Sequence, residues 1–97
     1  MNVSVVGATG YSGMELIRLL ANHPSFSLSG VYSSSTAGSR LDSENKQLHG
    51  LTQLILKAYD ADEIANTSDL VFLALPSGIA KELVPGLYEK NLKIIDL

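Results

Sequence analysis

Three glycines near the amino terminus have a spacing that suits phosphate binding. Gly7, Gly10 and Gly13 form a G-x-x-G-x-x-G pattern, and Thr9 and Ser12 add hydroxyl donors between them. The first glycine allows a tight turn, the second lets the backbone approach a pyrophosphate, and the third lets a helix pack closely. The free N–H groups of the following helical turn would then receive the phosphates. These residues are the first candidates for a cofactor site.

The pattern lies between a predicted strand and a predicted helix. Residues 3–7 form a β-branched run typical of a buried parallel strand. Over residues 14–22 the period changes, and Leu16, Leu19 and Leu20 lie on one helical face. In this context the glycines predict a dinucleotide-binding turn, whereas the alternative is a tight strand-to-helix turn without a ligand.

Two further positions are predicted to border the cofactor. Tyr11 projects from the glycine turn itself, so we expect it to pack beside the ligand. Leu75 and Pro76 follow the fourth predicted strand at the topological switch, where their backbone would line the cofactor crevice. The alternative for Leu75 and Pro76 is a plain strand-to-helix turn.

The residues after the second predicted strand bear on the choice of dinucleotide. NAD-binding domains usually place an acidic residue there to hold the ribose 2′-hydroxyl. This chain has Ser33, Ser34 and Ser35 instead, and no acidic residue occurs between positions 15 and 42. Hydroxyls and backbone amides can donate to a 2′-phosphate that a carboxylate would repel, and Arg40 is near enough in sequence to assist. The pattern favours NADP over NAD, with a flexible solvated loop as the alternative.

The rest of the chain alternates strands and helices. Further strands are predicted over residues 26–32, 53–58, 70–75 and 93–97, and helices over 60–67 and 76–91. Asp60 and Glu63 have capping-box spacing, and Pro85 predicts a kink or a break in the last helix. Right-handed crossovers then predict an α/β, Rossmann-like, doubly wound parallel sheet of about five strands in the order 3-2-1-4-5. Because the chain stops in its last strand, we expect residues 1–97 to be a truncated, amino-terminal dinucleotide-binding domain.

Composition excludes several classes of protein. The 97 residues are 45% hydrophobic and 18% charged, as in a globular domain, and the net charge of −3 gives no general attraction for nucleic acid. No apolar run reaches the roughly 18 residues of a membrane span, and no basic leader is present, so we expect a cytoplasmic protein. The absence of cysteine excludes disulfides and a thiol nucleophile, and His23 and His49 lack metal-site spacing.

Four motifs together resemble one enzyme family. They are VVGATGYSGMEL (5–16), HP (23–24), FLALPSG (72–78) and IIDL (94–97). The chain is similar to the amino-terminal portion of N-acetyl-gamma-glutamyl-phosphate reductase, of the semialdehyde dehydrogenase group and arginine biosynthesis. The tyrosine in the turn, the His-Pro pair and the Ala-Leu-Pro-x-Gly stretch distinguish it from aspartate-semialdehyde dehydrogenase. The resemblance extends over all 97 residues.

The resemblance implies NADPH-dependent reduction of N-acetyl-glutamyl 5-phosphate to N-acetyl-glutamate 5-semialdehyde. In that family a downstream cysteine attacks the acyl phosphate and expels phosphate, and hydride then reduces the thioester while a downstream histidine handles protons. Since this chain has no cysteine, it would be the cofactor-binding part and hold no catalytic residue. The acyl phosphate would bind mainly to a missing later domain, which would also form homo-oligomers.

The resemblance also assigns parts of the cofactor to residues. The turn from Gly7 to Gly13 would hold the pyrophosphate, Ser33 and Ser35 the 2′-phosphate, and the Leu75–Pro76 backbone would lie by the nicotinamide. The family often has an arginine where Ser34 stands, so the affinity for NADP is expected to be weaker here. The open alternatives are a fragment of aspartate-semialdehyde dehydrogenase and a non-catalytic NADP-binding module.

Overall fold

The protein is described from a computed structural model that covers residues 1–21, 23–33, 38–40 and 54–97. These residues form five strands and three helices. The strands are β1 (Asn2–Val6), β2 (Ser27–Tyr32), β3 (Leu56–Lys57), β4 (Leu70–Leu73) and β5 (Lys93–Asp96). The helices are α1 (Tyr11–Ala21), α2 (Ala61–Thr67) and α3 (Ser77–Tyr88).

The five strands form one parallel sheet in the order β3-β2-β1-β4-β5, which confirms the predicted topology. β1 is central, and its Val5 pairs with Val31 of β2 and Phe72 of β4. The strand order reverses between β1 and β4, so a crevice opens there at the carboxyl edge of the sheet. The glycine turn leaves β1 at this same edge.

Apolar side chains cover both faces of the sheet, as expected of parallel strands with helices on each side. The face under α1 is formed by Val3, Val5, Val31, Leu56, Leu70 and Phe72, which pack with Met14, Ile17 and Leu20. The opposite face, under α2 and α3, is formed by Val6, Tyr32, Val71 and Leu73, which pack with Ile64, Ala80 and Leu87.

Helix α1 differs from its prediction at its start and on its buried face. It begins at Tyr11 rather than at residue 14, so the last part of the glycine pattern is its first turn. Its buried residues are Gly13, Met14, Ile17 and Leu20. Leu19 is 70% exposed, so the predicted apolar face of Leu16, Leu19 and Leu20 is not the face that is buried. Close packing at Gly13 fixes the rotation of the helix, and this rotation turns Leu19 outward.

The other predicted elements shift mainly at their ends. β3 is only Leu56–Lys57, and Ile55 beside it forms an antiparallel bridge with Arg40. Of the kink or break predicted at Pro85, the break does not occur, since α3 continues to Tyr88. Pro85 lies in the last turn of the helix, where its missing N–H removes only one helical hydrogen bond. Residues 41–53, which include the first residue of the predicted strand 53–58, lie outside the described residues.

Candidate functional site

The glycine turn is held between the ends of two neighbouring strands. The N–H groups of Gly7 and Ala8 both donate to the carbonyl oxygen of Tyr32, at 3.0 and 3.2 Å. Gly7 has φ +86°, in the left-handed region that favours glycine. A Cβ on Gly7 would lie 2.3 Å from the carbonyl oxygen of Ala74, so the turn also packs directly on the end of β4. The fold itself therefore requires Gly7.

The other two glycines of the pattern differ in whether the space around them leaves room for a side chain. A Cβ on Gly13 would lie 2.3 Å from the carbonyl oxygen of Gly7, so Gly13 lets α1 approach the turn. At Gly10 the nearest atom to such a Cβ is the Gly7 oxygen, at 3.7 Å, which is ordinary van der Waals contact. Packing within the protein therefore explains Gly7 and Gly13 but leaves the glycine at position 10 unexplained.

A cavity of about 380 Å³ lies beside the turn at the carboxyl edge of the sheet. Its lining residues come from the ends of β1, β2, β3 and β4 and from α3: Val6, Gly7, Thr9, Gly10, Ser33, Tyr59, Ala74, Leu75, Pro76, Ile79 and Leu83. No side chain of this lining, which is drawn from the described residues, carries a formal charge at neutral pH. The cavity is at the switch point between β1 and β4, where doubly wound sheets bind their ligands.

The cavity brings together six of the residues predicted from the sequence: Gly7, Thr9, Gly10, Ser33, Leu75 and Pro76. Ser12 and Gly13 lie in the first turn of α1, outside the lining, and Tyr11 beside them is 87% exposed. Ser34 and Ser35 lie outside the described residues. The structure therefore joins the glycine turn, the end of β2 and the turn after β4 around one space.

Two helices begin at this space. The first N–H groups of a helix have no partner within it and carry the positive end of the dipole. α1 begins at Tyr11, directly after Gly10, and α3 begins at Ser77, after Pro76. The Pro76 carbonyl accepts from the N–H groups of Ile79 and Ala80, both at 3.0 Å, which fixes the start of α3 at the rim. The electrostatic environment at the rim therefore favours an anionic group.

One wall of the cavity was missed in the sequence. Tyr59, two residues after β3, lines the cavity together with Ile79 and Leu83, which are one helical turn apart on α3. Burial raises the pKa of Tyr59, the charge of Asp60 adds to this shift, and Lys90 opposes it. The phenol is therefore neutral and able to donate a hydrogen bond. The available signal was position, because Tyr59 follows a strand at the carboxyl edge as Ser33 does.

At the end of β2, Ser33 is buried and its N–H donates to the carbonyl oxygen of Lys57 at 2.9 Å. This bond extends the pairing of β2 with β3 by one residue beyond the strand. On the opposite edge of the sheet, His23 makes local contacts. Its Nδ1 accepts from the N–H of Ser25 at 3.0 Å, and its ring lies 4.6 Å from that of Phe26.

A glycine turn after the first strand, with a crevice at the switch point of a 3-2-1-4-5 sheet, defines a dinucleotide-binding Rossmann domain. Comparison with known families agrees with this class. The family described as "Semialdehyde dehydrogenase, NAD binding domain" matches residues 2–97, and the chain belongs to this family. The resemblance inferred from the sequence motifs is thereby confirmed. Among the described residues, no helix has both the length and the apolar character needed to cross a membrane.

Individual relatives cover the whole chain. N-acetyl-gamma-glutamyl-phosphate reductases of Brevibacillus brevis and Halalkalibacterium halodurans are 46% and 48% identical to it over 97 residues. The chain spans 28% of the length of each of these relatives. The crystal structure of aspartate semialdehyde dehydrogenase with NADP from Candida albicans matches with a TM-score of 0.85 and 24% identity. That match covers 98% of this chain and 28% of the other, and it shows the fold.

Proposed function

We propose that this chain is the NADP-binding portion of a cytoplasmic N-acetyl-gamma-glutamyl-phosphate reductase of arginine biosynthesis. The observation that carries the proposal is Gly10, which lines the crevice at the switch point and which no contact among the described residues requires. The identity of 46% and 48% with reductases of that name supports the choice of enzyme. The residues from 1 to 97 would form one dinucleotide-binding domain of a longer protein.

The glycine turn fits a pyrophosphate. Gly10 lines the cavity directly before the first turn of α1, so a Cβ there would occupy space that a phosphate needs to approach the N–H groups of that turn. Thr9 lies on the cavity wall and Ser12 in that first turn, so both hydroxyls are placed to donate to phosphate oxygens. Tyr11, being exposed, would cover the outer side of the phosphates rather than the wall of the cavity.

The two ends of the cavity suit the two halves of the dinucleotide. In this topology the adenosine half lies over β2 and β3 and the nicotinamide half over β4. Tyr59, Ile79 and Leu83 all line the cavity and give it an apolar surface on which adenine can pack. Leu75 and Pro76 continue the lining past the end of β4, so their backbone would border the path towards the nicotinamide.

The residues after β2 suit NADP rather than NAD. Ser33 occupies the position where an NAD-specific domain would place a carboxylate, and it lines the cavity. Ser34 and Ser35 would add two hydroxyls to the 2′-phosphate site. A carboxylate at this position would repel a doubly charged phosphate, whereas hydroxyls can donate to it.

The proposed reaction converts an acyl phosphate, NADPH and a proton into an aldehyde, NADP⁺ and inorganic phosphate. NADPH, when bound, supplies the hydride. This chain would bind and orient the cofactor, because it has no cysteine to attack the acyl group. The nucleophile, the proton-handling histidine, the acyl-phosphate pocket and the contacts between subunits would belong to the rest of the protein.

The test is an assay of the protein made from the complete reading frame that contains these residues. Run in reverse, N-acetyl-glutamate 5-semialdehyde, phosphate and NADP⁺ should yield NADPH, and omission of phosphate should stop the reaction. Turnover of aspartate 4-semialdehyde instead would establish the related dehydrogenase. NADP binding without turnover of either aldehyde would indicate a non-catalytic binding module.

A further inference from the structure

The adenosine end of the cavity has hydroxyls but lacks a cation in its described lining. A 2′-phosphate carries about two negative charges near neutral pH, so a site that prefers NADP benefits from a nearby positive charge. Ser33 supplies none, and its nearest backbone partner is Lys57, whose carbonyl accepts the Ser33 N–H at 2.9 Å. Lys57 is therefore the lysine directly beside the end of β2.

The side chain of Lys57 lies on the same face of the sheet as the cavity. Its neighbour Leu56 is fully buried under α1, so Lys57 points to the opposite face. On that face it contacts α2, and Tyr59, two residues further on, lines the cavity. The Lys57 side chain is 49% exposed. The side chain is therefore accessible from solvent, on the face of the sheet where Tyr59 lines the cavity.

The ammonium is held by a partner that it can exchange. Lys57 Nζ donates to Glu63 Oε1 in the first part of α2. The capping-box spacing predicts that Glu63 bonds back towards Asp60, but the Glu63 carboxylate turns to Lys57 instead. Asp60 Oδ1 caps the helix by accepting from the N–H groups of Asp62 and Glu63, both at 3.1 Å. Since both side chains of this pair are partly exposed to solvent, a phosphate can compete with Glu63 for the ammonium group.

Lys90, a described cation on the α2 side, is paired through its Nζ with Asp62. Arg40 is a further described cation, beside β3. It pairs with Ile55, which precedes Lys57 by two residues along β3. Two strand residues correspond to roughly 6–7 Å, measured away from the carboxyl edge. Gly38, which donates to the Leu56 carbonyl at 2.7 Å, flanks β3 on its outer side and has no side chain to cover Lys57.

We infer that Lys57 determines the preference for NADP over NAD by leaving Glu63 and pairing with the 2′-phosphate. This inference rests on the proposed binding of NADP at the cavity. The pair with Glu63 holds the ammonium in place when no dinucleotide is bound. NAD has a 2′-hydroxyl and no phosphate there to pair with the ammonium, so NAD binding should not depend on Lys57.

The test is a calorimetric titration of the chain with NADP and, separately, with NAD. Lys57→Met should weaken NADP binding roughly tenfold or more, the loss expected for one charge-assisted hydrogen bond, and leave NAD binding within about twofold. Lys57→Arg should retain most of the preference, and Glu63→Gln should tighten NADP binding by releasing the ammonium. Lys93→Met is the matched control, because it removes the same charge at the amino end of β5, on the opposite edge.

The outcomes separate this inference from the proposed function. If Lys57→Met leaves NADP affinity unchanged, or weakens NADP and NAD equally, the role of Lys57 is refuted while dinucleotide binding stands. A selective loss of NADP with Arg40→Met but not with Lys57→Met would also refute it. If the unmodified chain binds neither dinucleotide, the proposed function itself fails. Circular dichroism of each variant checks that the fold is retained.

Discussion

Replacing Gly10 with alanine separates the binding role of the glycine turn from its structural role. The added methyl group would have the Gly7 oxygen at 3.7 Å as its nearest protein atom, so it meets no steric conflict in the fold. Gly10 also does not have the left-handed φ that Gly7 has. Alanine at a compatible glycine position usually stabilises a protein by about 0.4–1 kcal/mol, because the unfolded chain loses freedom. We therefore expect G10A to fold at least as stably as the unmodified chain.

Binding should respond in the opposite direction. The methyl group would stand between the N–H groups of the α1 first turn and an approaching phosphate. Loss of one hydrogen bond to a charged group costs about 1.5–3 kcal/mol, which corresponds to roughly a 10- to 150-fold weaker dinucleotide affinity. Gly10→Val, with two further methyl groups, should abolish binding.

Two other glycine variants serve as comparisons for G10A. Gly86→Ala is the matched control, because a Cβ there meets no atom within 4 Å and the position lies at the far end of α3. Gly7→Ala is the opposite case, because its Cβ would lie 2.3 Å from the Ala74 oxygen at a strained φ. It should destabilise the fold by about 2 kcal/mol or more, a fall in Tm of roughly 8–16 °C. Thermal unfolding and calorimetric titration measure both quantities. Unchanged dinucleotide affinity in G10A would refute the role of this turn.

Three further predictions concern the fold around the site. Burial raises the pKa of Tyr32, and its Oη has no hydrogen-bond partner within the described residues. The free energy of unfolding should therefore fall as the pH rises above about 10, where the unfolded chain releases the phenol proton first, and Tyr32→Phe should weaken this fall with little cost at neutral pH. Urea unfolding at several pH values measures the effect, and a cost of Tyr32→Phe above about 2 kcal/mol at pH 7 would reveal a hydrogen-bond partner. Asp60→Ala should cost about 1 kcal/mol in urea unfolding by removing the cap of α2, whereas an unchanged midpoint would contradict the cap. Ile17→Ala should cost about 2–5 kcal/mol and Leu19→Ala less than about 1 kcal/mol, and equal losses would contradict the observed rotation of α1.

The order of the sheet was predictable because each strand is indicated by its own apolar run in the sequence. Apolar runs separated by helical patterns leave few arrangements once crossovers must be right-handed. The rotation of α1 was not predictable in this way. A buried face that includes Leu19 and one that includes Ile17 both have apolar residues at helical spacing, so the sequence pattern does not choose between them. The contact of Gly13 with the Gly7 carbonyl selects the face, and that contact exists only in the folded chain.

The residues of the candidate site likewise fall into those that the sequence predicts and those that depend on the folded structure. The glycine turn and the segment around Leu75 could be predicted because their residue types carry a backbone requirement at a known place in the topology. Tyr59, Ile79 and Leu83 are ordinary apolar or aromatic residues whose role depends on where β3 ends and how α3 lies across the crevice. The ion pair between Lys57 and Glu63 was not predicted, because the spacing of Glu63 from Asp60 suggested that Glu63 takes part in a capping box.

The most direct test of the account is a calorimetric titration of NADP and NAD into the folded chain. Dinucleotide binding at the switch-point cavity is the claim on which the assignment of the turn, the serine run and the apolar wall depends. The account predicts one binding site per chain, with NADP bound more tightly than NAD. Binding of neither dinucleotide by a chain whose circular dichroism shows it to be folded would contradict it.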